Sequence, residues 1–228
     1  MTAPAPLSGL DADLVGSLTE LFRDAYASLS PPDLAHSQAL DTALLDPARD
    51  ILSRSGKGFR ARTLERSWQL AGGSVDGPPE LLPVVIELLH VGSLIIDDIE
   101  DDSRLRRGMP ALHRQYGLPL ALNTANWLYF VSLALVSRTP LPPQVRLALY
   151  EDISVTLMRC HQGQALDLSV RVTDSRQSEV SGLVECSTRL KTGSLMQLAS
   201  TLGARAAGGC QGTLRWPGSR TAWSTVQI

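Results

Sequence analysis

Apolar positions recur every three to four residues along most of this chain, and proline or glycine groups cut that periodicity into segments. Leu14, Leu18, Leu21, Phe22 and Tyr26 predict a helix over Asp11 to Ser28, stopped by Pro31–Pro32. Leu40, Leu44, Leu45, Ile51 and Leu52 predict a second over about Gln38 to Ser53. Gly56-Lys57-Gly58 reads as a turn that opens a third helix, which ends at Gly72–Gly73. Pro78–Pro79 precede a strongly apolar fourth, from about Glu80 to Asp102, and Gly108-Met109-Pro110 stops the segment after it. Further helices are predicted over about Leu118 to Val136, Gln144 to Val172 and Glu179 to Leu202. No strand alternation and no internal repeat is visible, so the expected fold class is all-α, a helical bundle without a sheet. Met1 to Ser8 is rich in Pro and Ala and is expected to be disordered. Beyond Gly203 the periodicity is lost among Gly208–Gly209, Gly212, Pro217 and Gly218. The expected division is a helical domain over 1–207 and an irregular tail over 208–228.

Composition narrows the picture. The 228 residues are 43% hydrophobic, 19% charged and 5% aromatic, with a formal net charge of −2. Such a balance excludes a whole-surface attraction for nucleic acid or anionic lipid. Three cysteines, Cys160, Cys186 and Cys210, show no metal-ligand spacing, and Met1 to Leu10 carries no signal-peptide pattern. A reduced, cytoplasmic chain is expected. Leu118 to Ser137 holds no charge and meets a membrane-span length criterion. Pro119, Asn123, Thr124 and Asn126 lie within it, so a buried core helix is expected rather than a transmembrane segment.

The chemistry is concentrated at Asp97-Asp98-Ile99-Glu100-Asp101-Asp102, the end of the apolar fourth helix. A helix turns about 100° per residue, so Asp97 and Asp101 stack on one face with Asp98 beside them. Carboxylates so placed repel one another and crowd a helix C-terminus, where negative charge is disfavoured. A divalent cation resolves that conflict, and Mg²⁺ suits an incomplete oxygen set that shares phosphate oxygens. Arg104, Arg106 and Arg107 follow at once, supplying guanidinium forks for phosphate. Lys57 and Arg60 lie one turn apart at a glycine-flanked helix start, where backbone N–H groups also favour anions. Taken alone, each basic site reads more readily as a surface feature, and His90 as a satisfied core histidine.

Gly56-Lys57-Gly58-Phe59-Arg60, the run His90 to Asp102, Leu105-Arg106-Arg107-Gly108-Met109-Pro110, His161-Gln162-Gly163-Gln164-Ala165-Leu166-Asp167-Leu168 and Lys191-Thr192-Gly193 occur in that order. Together they resemble the trans-prenyltransferase, or polyprenyl synthetase, family over roughly Leu40 to Leu202. Ile96 to Phe130 is especially similar to eukaryotic-type geranylgeranyl diphosphate synthases. The resemblance implies an isoprenoid-synthase helical bundle that condenses isopentenyl diphosphate with an allylic diphosphate in the presence of Mg²⁺. It implies that Asp97, Asp98 and Asp101 hold metal and that Arg106 contacts the allylic diphosphate. Lys57, Arg60, His90 and Arg107 would bind isopentenyl diphosphate. Lys191 and Thr192 would face the allylic diphosphate and its developing cation, with Gln164 and Asp167 in support. Gly92 and Ser93, one turn before Asp97, are small, which favours products of about twenty carbons or longer within the family's logic.

The sequence departs from the family in two respects: no Asp or Glu follows Glu185, so the family's second aspartate-rich motif is absent, and family members are longer, with further helices that complete the bundle. Read with the irregular basic end, this suggests C-terminal truncation or a frameshift. Activity is then expected to be low or absent, with exposed apolar faces driving self-association. A homodimer or a partner-completed oligomer is expected. The competing readings are a non-catalytic, partner-dependent subunit and a class I terpene cyclase. Lys57, Arg60 and Arg107 argue against the cyclase, which needs no isopentenyl site.

Overall fold

The computed structural model describes residues 38–208. The predicted helix over Asp11 to Ser28, the Pro-rich start and the tail beyond Gly208 lie outside those residues. Within them a π-turn, Asp41–Leu45, runs into α1, Asp46–Ser53. There follow α2, Phe59–Leu70; α3, Leu81–Glu100; β1, Leu105–Arg106; β2, Met109–Pro110; and α4, Leu112–Gln115. The longer helices α5, Leu118–Arg138, and α6, Pro143–Ser169, come next. After a 3-10 turn, Val172–Asp174, the chain closes with α7, Gln177–Thr188, a π-turn, Arg189–Gly193, and α8, Ser194–Ala206. The fold is all-α, as the periodicity predicts. The expectation of no sheet at all is corrected by a two-stranded antiparallel ladder pairing Leu105 with Pro110 and Arg106 with Met109.

The contacts group into two compact units. The first, described over residues 38–59 and 84–135, contains α1, most of α3, the hairpin, α4 and nearly all of α5. Val84, Val85, Ile86, Leu88, Leu89, Val91 and Ile95 of α3 are all buried, so this helix is apolar on almost every side. Each such burial stabilises by about 1.5–3 kcal/mol relative to exposure. Gly92 lets α3 approach α5, since a Cβ there would stand 3.1 Å from the Ala125 carbonyl and 3.2 Å from the Tyr129 ring. Ala121, Thr124, Ala125, Leu128, Val131, Ser132 and Leu135 form the buried stripe of α5 at helical spacing. Its other side leaves Leu118, Leu122 and Phe130 exposed. The uncharged helix is thus a core helix on one face only. It is also the single helix among the described residues that meets the length and hydropathy criterion for a membrane span.

The second unit comprises residues 60–83 and, as described, 136–208. Leu64 and Trp68 of α2 are buried, as are Leu195, Leu198, Ala199 and Leu202 of α8. Gly203 allows the closest approach, because any Cβ there would collide with the Leu64 carbonyl oxygen. The hydroxyls of Ser67 and Ser200 share a hydrogen bond of 2.8 Å along the same seam. Leu149, Ile153, Thr156, Gly163 and Gln164 are the buried residues of α6. Arg205 of α8 donates to Asp152 of α6 through Nε at 2.6 Å and Nη2 at 3.2 Å. Helix α7 has no buried residue.

Candidate functional site

Local rules place the acidic run where the sequence predicts it. Helix α3 ends at Glu100, and the Asp101 amide still bonds the Asp97 carbonyl at 2.8 Å. Asp97 and Asp101 are therefore one turn apart on one face, the first half-buried and the second exposed. Asp98 points elsewhere. It is 1% exposed and receives Arg106 Nε at 3.0 and 2.9 Å on its two oxygens, with Arg106 Nη2 donating as well. That hydrogen bond to Asp98 is the chief reason the Arg106 guanidinium is held above its ordinary pKa, with Asp97 and Asp101 adding to it. Asp97 and Asp101 thus share a face, while Asp98, the third of the expected trio, is engaged with Arg106. No group of three or more His, Cys, Asp or Glu able to cage a metal occurs among the described residues. Two stacked carboxylates fit a magnesium ion that keeps waters and takes its remaining ligands from phosphate, not one caged by protein alone.

The hairpin after α3 presents the arginines. Arg107 and Gly108 are its two turn residues, with φ of 53° and 79°. Positive φ at both central positions is the type I′ geometry, whose first position ordinarily takes Asn, Asp or Gly. An arginine there is strained by about 1–3 kcal/mol, and strain of this kind concentrates at functional positions. The Arg107 guanidinium folds back over the Gly56-Lys57-Gly58 turn, and a Cβ on Gly56 would lie 3.1–3.3 Å from it. Burial pushes the Arg107 pKa down, and the charges of Arg106 and Arg54 act in the same direction, while Glu87 opposes them. Three arginines thus meet at this corner, Arg54 compensated by Asp50 and Arg106 by Asp98. Lys57 is exposed beside it, and His90 is half-buried on α3.

The remaining predicted residues belong to the second unit. Arg60 is half-buried in the first turn of α2. Lys191 and Thr192 sit on the π-turn Arg189–Gly193, not on regular α-helix as predicted. The wider turn is visible in the Ser194 hydroxyl, which reaches back to the Arg189 carbonyl at 3.4 Å. π-turns inside helices are frequent at functional sites. Gly163 of α6 makes room for this one, because a Cβ there would be 2.6 Å from the Lys191 amide nitrogen. Lys191 Nζ donates to Asp167 Oδ2 at 3.2 Å, and the Ser187 hydroxyl also donates to Asp167. Gln164 is buried on α6, and Thr192 is exposed. Sequence reasoning missed Arg54, Asp50 and Ser187. The Asp50–Arg54 spacing of four was a visible helical signal, whereas Ser187 had none.

Comparison with known proteins follows this geometry. Residues 41–215 match the family model described as Polyprenyl synthetase. The chain is 35% identical over 161 residues to a geranylgeranyl pyrophosphate synthase of Eremothecium gossypii, covering 68% of this chain and 49% of the relative. It is 37% identical over 141 residues to one of Dictyostelium discoideum, covering 61% and 44%. A crystal structure of a geranylgeranyl pyrophosphate synthase superimposes with a TM-score of 0.68 at 22% identity, over 87% of this chain and 57% of that one. That likeness shows the isoprenoid-synthase fold. The chain spans about half the length of the curated relatives it matches.

Proposed function

The chain belongs to the polyprenyl synthetase family, and from that premise we propose that it binds an allylic diphosphate and isopentenyl diphosphate and joins them into a longer prenyl diphosphate. The relatives are named geranylgeranyl pyrophosphate synthases, so a twenty-carbon product is the one proposed. One observation carries the reading. In a single unit, two stacked carboxylates stand at the end of an apolar helix, and the hairpin that follows it fixes one arginine on Asp98 and strains the other over a Gly-Lys-Gly turn.

Asp97 and Asp101 would hold magnesium together with the allylic diphosphate. When bound, the metal neutralises diphosphate charge and improves the leaving group. Arg106, oriented by Asp98, donates to the same diphosphate. Lys57, His90 and Arg107 of the first unit would hold isopentenyl diphosphate, a role the family resemblance extends to Arg60. The bond from the allylic C1 to its diphosphate oxygen breaks, and the isopentenyl double bond supplies the pair that forms the new carbon–carbon bond. A proton then leaves the carbon next to the new cation, with the released diphosphate as its acceptor. Lys191 would match the charge of the departing diphosphate and the Thr192 hydroxyl would offer its dipole to the developing cation, with Gln164 in support. Holding both partners in register contributes much of the rate. The proposed location is the cytoplasm.

The test is a calorimetric titration with a non-hydrolysable allylic diphosphate, with and without magnesium, followed by turnover with labelled isopentenyl diphosphate. Magnesium-dependent binding is expected in the wild-type chain and is expected to vanish in Asp97→Asn/Asp101→Asn without loss of helical signal. Binding that ignores both the metal and the substitutions would overturn the assignment.

A further inference from the structure

None of these roles uses Arg54, although it is one of the few buried charged side chains, 7% exposed at the end of α1. Its guanidinium makes four hydrogen bonds. Nε donates to Asp50 Oδ1 at 2.9 Å, one turn back on the same helix. Nη1 donates to the Arg106 carbonyl at 3.2 Å and to the Pro110 carbonyl at 2.8 Å, one from each strand of the hairpin. Nη2 reaches Gln115 Oε1 at 3.4 Å, just beyond β2. In the reverse direction, the Arg54 backbone carbonyl accepts Arg107 Nη1 at 2.8 Å. The planar fork spreads its donors over a carboxylate, two carbonyls and an amide oxygen; the three donors of an ammonium, gathered at one atom, do not span those four acceptors.

We propose that Arg54 is a positioning residue, which clamps the arginine hairpin by both strands and so sets where the Arg107 guanidinium stands for isopentenyl diphosphate. The inference rests on the function proposed above. Three observations support it. Arg107 is held at positive φ, a conformation that persists only when its surroundings enforce it. Its guanidinium occupies the space that a side chain at position 56 would fill, since a Cβ on Gly56 would stand 3.1–3.3 Å from it. Arg106, in contrast, is anchored separately by Asp98, so loosening the clamp moves Arg107 first. The clamp has a firm base, because Ile51 and Leu52 beside it on α1 are 1% and 3% exposed.

The experiment uses Arg54→Gln in the full chain. It also uses Asp50→Asn/Arg54→Gln, which removes both charges of the pair and keeps the fold if the single variant leaves Asp50 too costly. The first readout needs no ligand: phenylglyoxal labelling of each arginine, followed by mass spectrometry. Labelling of Arg107 should accelerate roughly tenfold, the equivalent of one charged hydrogen bond, with Arg106 changing much less. The second readout is calorimetric affinity. Isopentenyl diphosphate should bind roughly tenfold more weakly, and the allylic analogue with magnesium should be nearly unaffected. That weakening should disappear when Arg54→Gln is made in an Arg107→Ala background. Unchanged Arg107 labelling, equal weakening of both diphosphates, or full additivity with Arg107→Ala each overturns the proposal. If the wild-type chain binds no isopentenyl diphosphate yet Arg107 labelling still accelerates, the clamp stands and the proposed function falls.

Discussion

In the first unit Asp98 and Arg106 meet with side chains 2% and 28% exposed; in the second, Asp167 and Lys191 meet with 41% and 27% exposed. The two pairs have the same charge chemistry and opposite uses. Water is excluded from Asp98, so its charge must be matched within the protein, and the guanidinium that matches it becomes part of the framework. Water reaches Asp167, and its link to Lys191 is one hydrogen bond of 3.2 Å. Lys191 and Asp167 can part into water at little cost, whereas parting Arg106 from Asp98 leaves a buried carboxylate unmatched. Burial therefore decides which acid–base pairs are fixed in the framework and which stay open to water.

The largest expected effect tests the buried side of this contrast. Asp98→Ala leaves a guanidinium uncompensated and should lower the free energy of unfolding by roughly 3–5 kcal/mol, read from urea titration. A loss below 1 kcal/mol would show that Arg106 finds water instead and that the pair is not structural. Next comes the π-turn beneath Lys191. Gly163→Ala drives a methyl group into the Lys191 amide and should cost about 1–3 kcal/mol, with shifted amide resonances along Arg189–Gly193. A variant as stable as the parent would mean that the turn relaxes freely. Smaller, and opposite in sign, is Arg107→Asn, which puts a residue suited to positive φ into the hairpin and should stabilise by about 1 kcal/mol. The same variant should lose affinity for isopentenyl diphosphate, measured by calorimetry, so stability and binding part company at one position. The smallest effect belongs to the exposed pair. Asp167→Asn should change stability by under about 1 kcal/mol, and added salt should erase the difference. A large, salt-independent loss would place Asp167 among the structural carboxylates and end the contrast.

Much of this was legible along the chain. The helix over Leu81–Glu100 and that over Leu118–Arg138 begin and end within about two residues of the bounds that periodicity and proline placement predict. Asp97 and Asp101 share a face for the reason the sequence implies, the fourfold spacing. The hairpin escaped notice because each strand has two residues, too few for alternation to show. The left-handed Arg107 escaped because an arginine gives no turn signal. The contact of Asp98 with Arg106 was not legible, because spacing alone does not say which neighbour a carboxylate will meet.

The sequence by itself determined the helices, the order of the motifs and the family, since all three depend on residues a few positions apart or on identities in sequence order. The tertiary structure alone decided that Asp98 is spent on Arg106, that Arg54 reaches carbonyls 52 and 56 residues away, and that only one face of α5 is buried. The physical reason is that helical spacing is a short-range property of the chain. The worth of a charge depends on how much water the fold removes from it and on which partner, distant in sequence, then replaces that water.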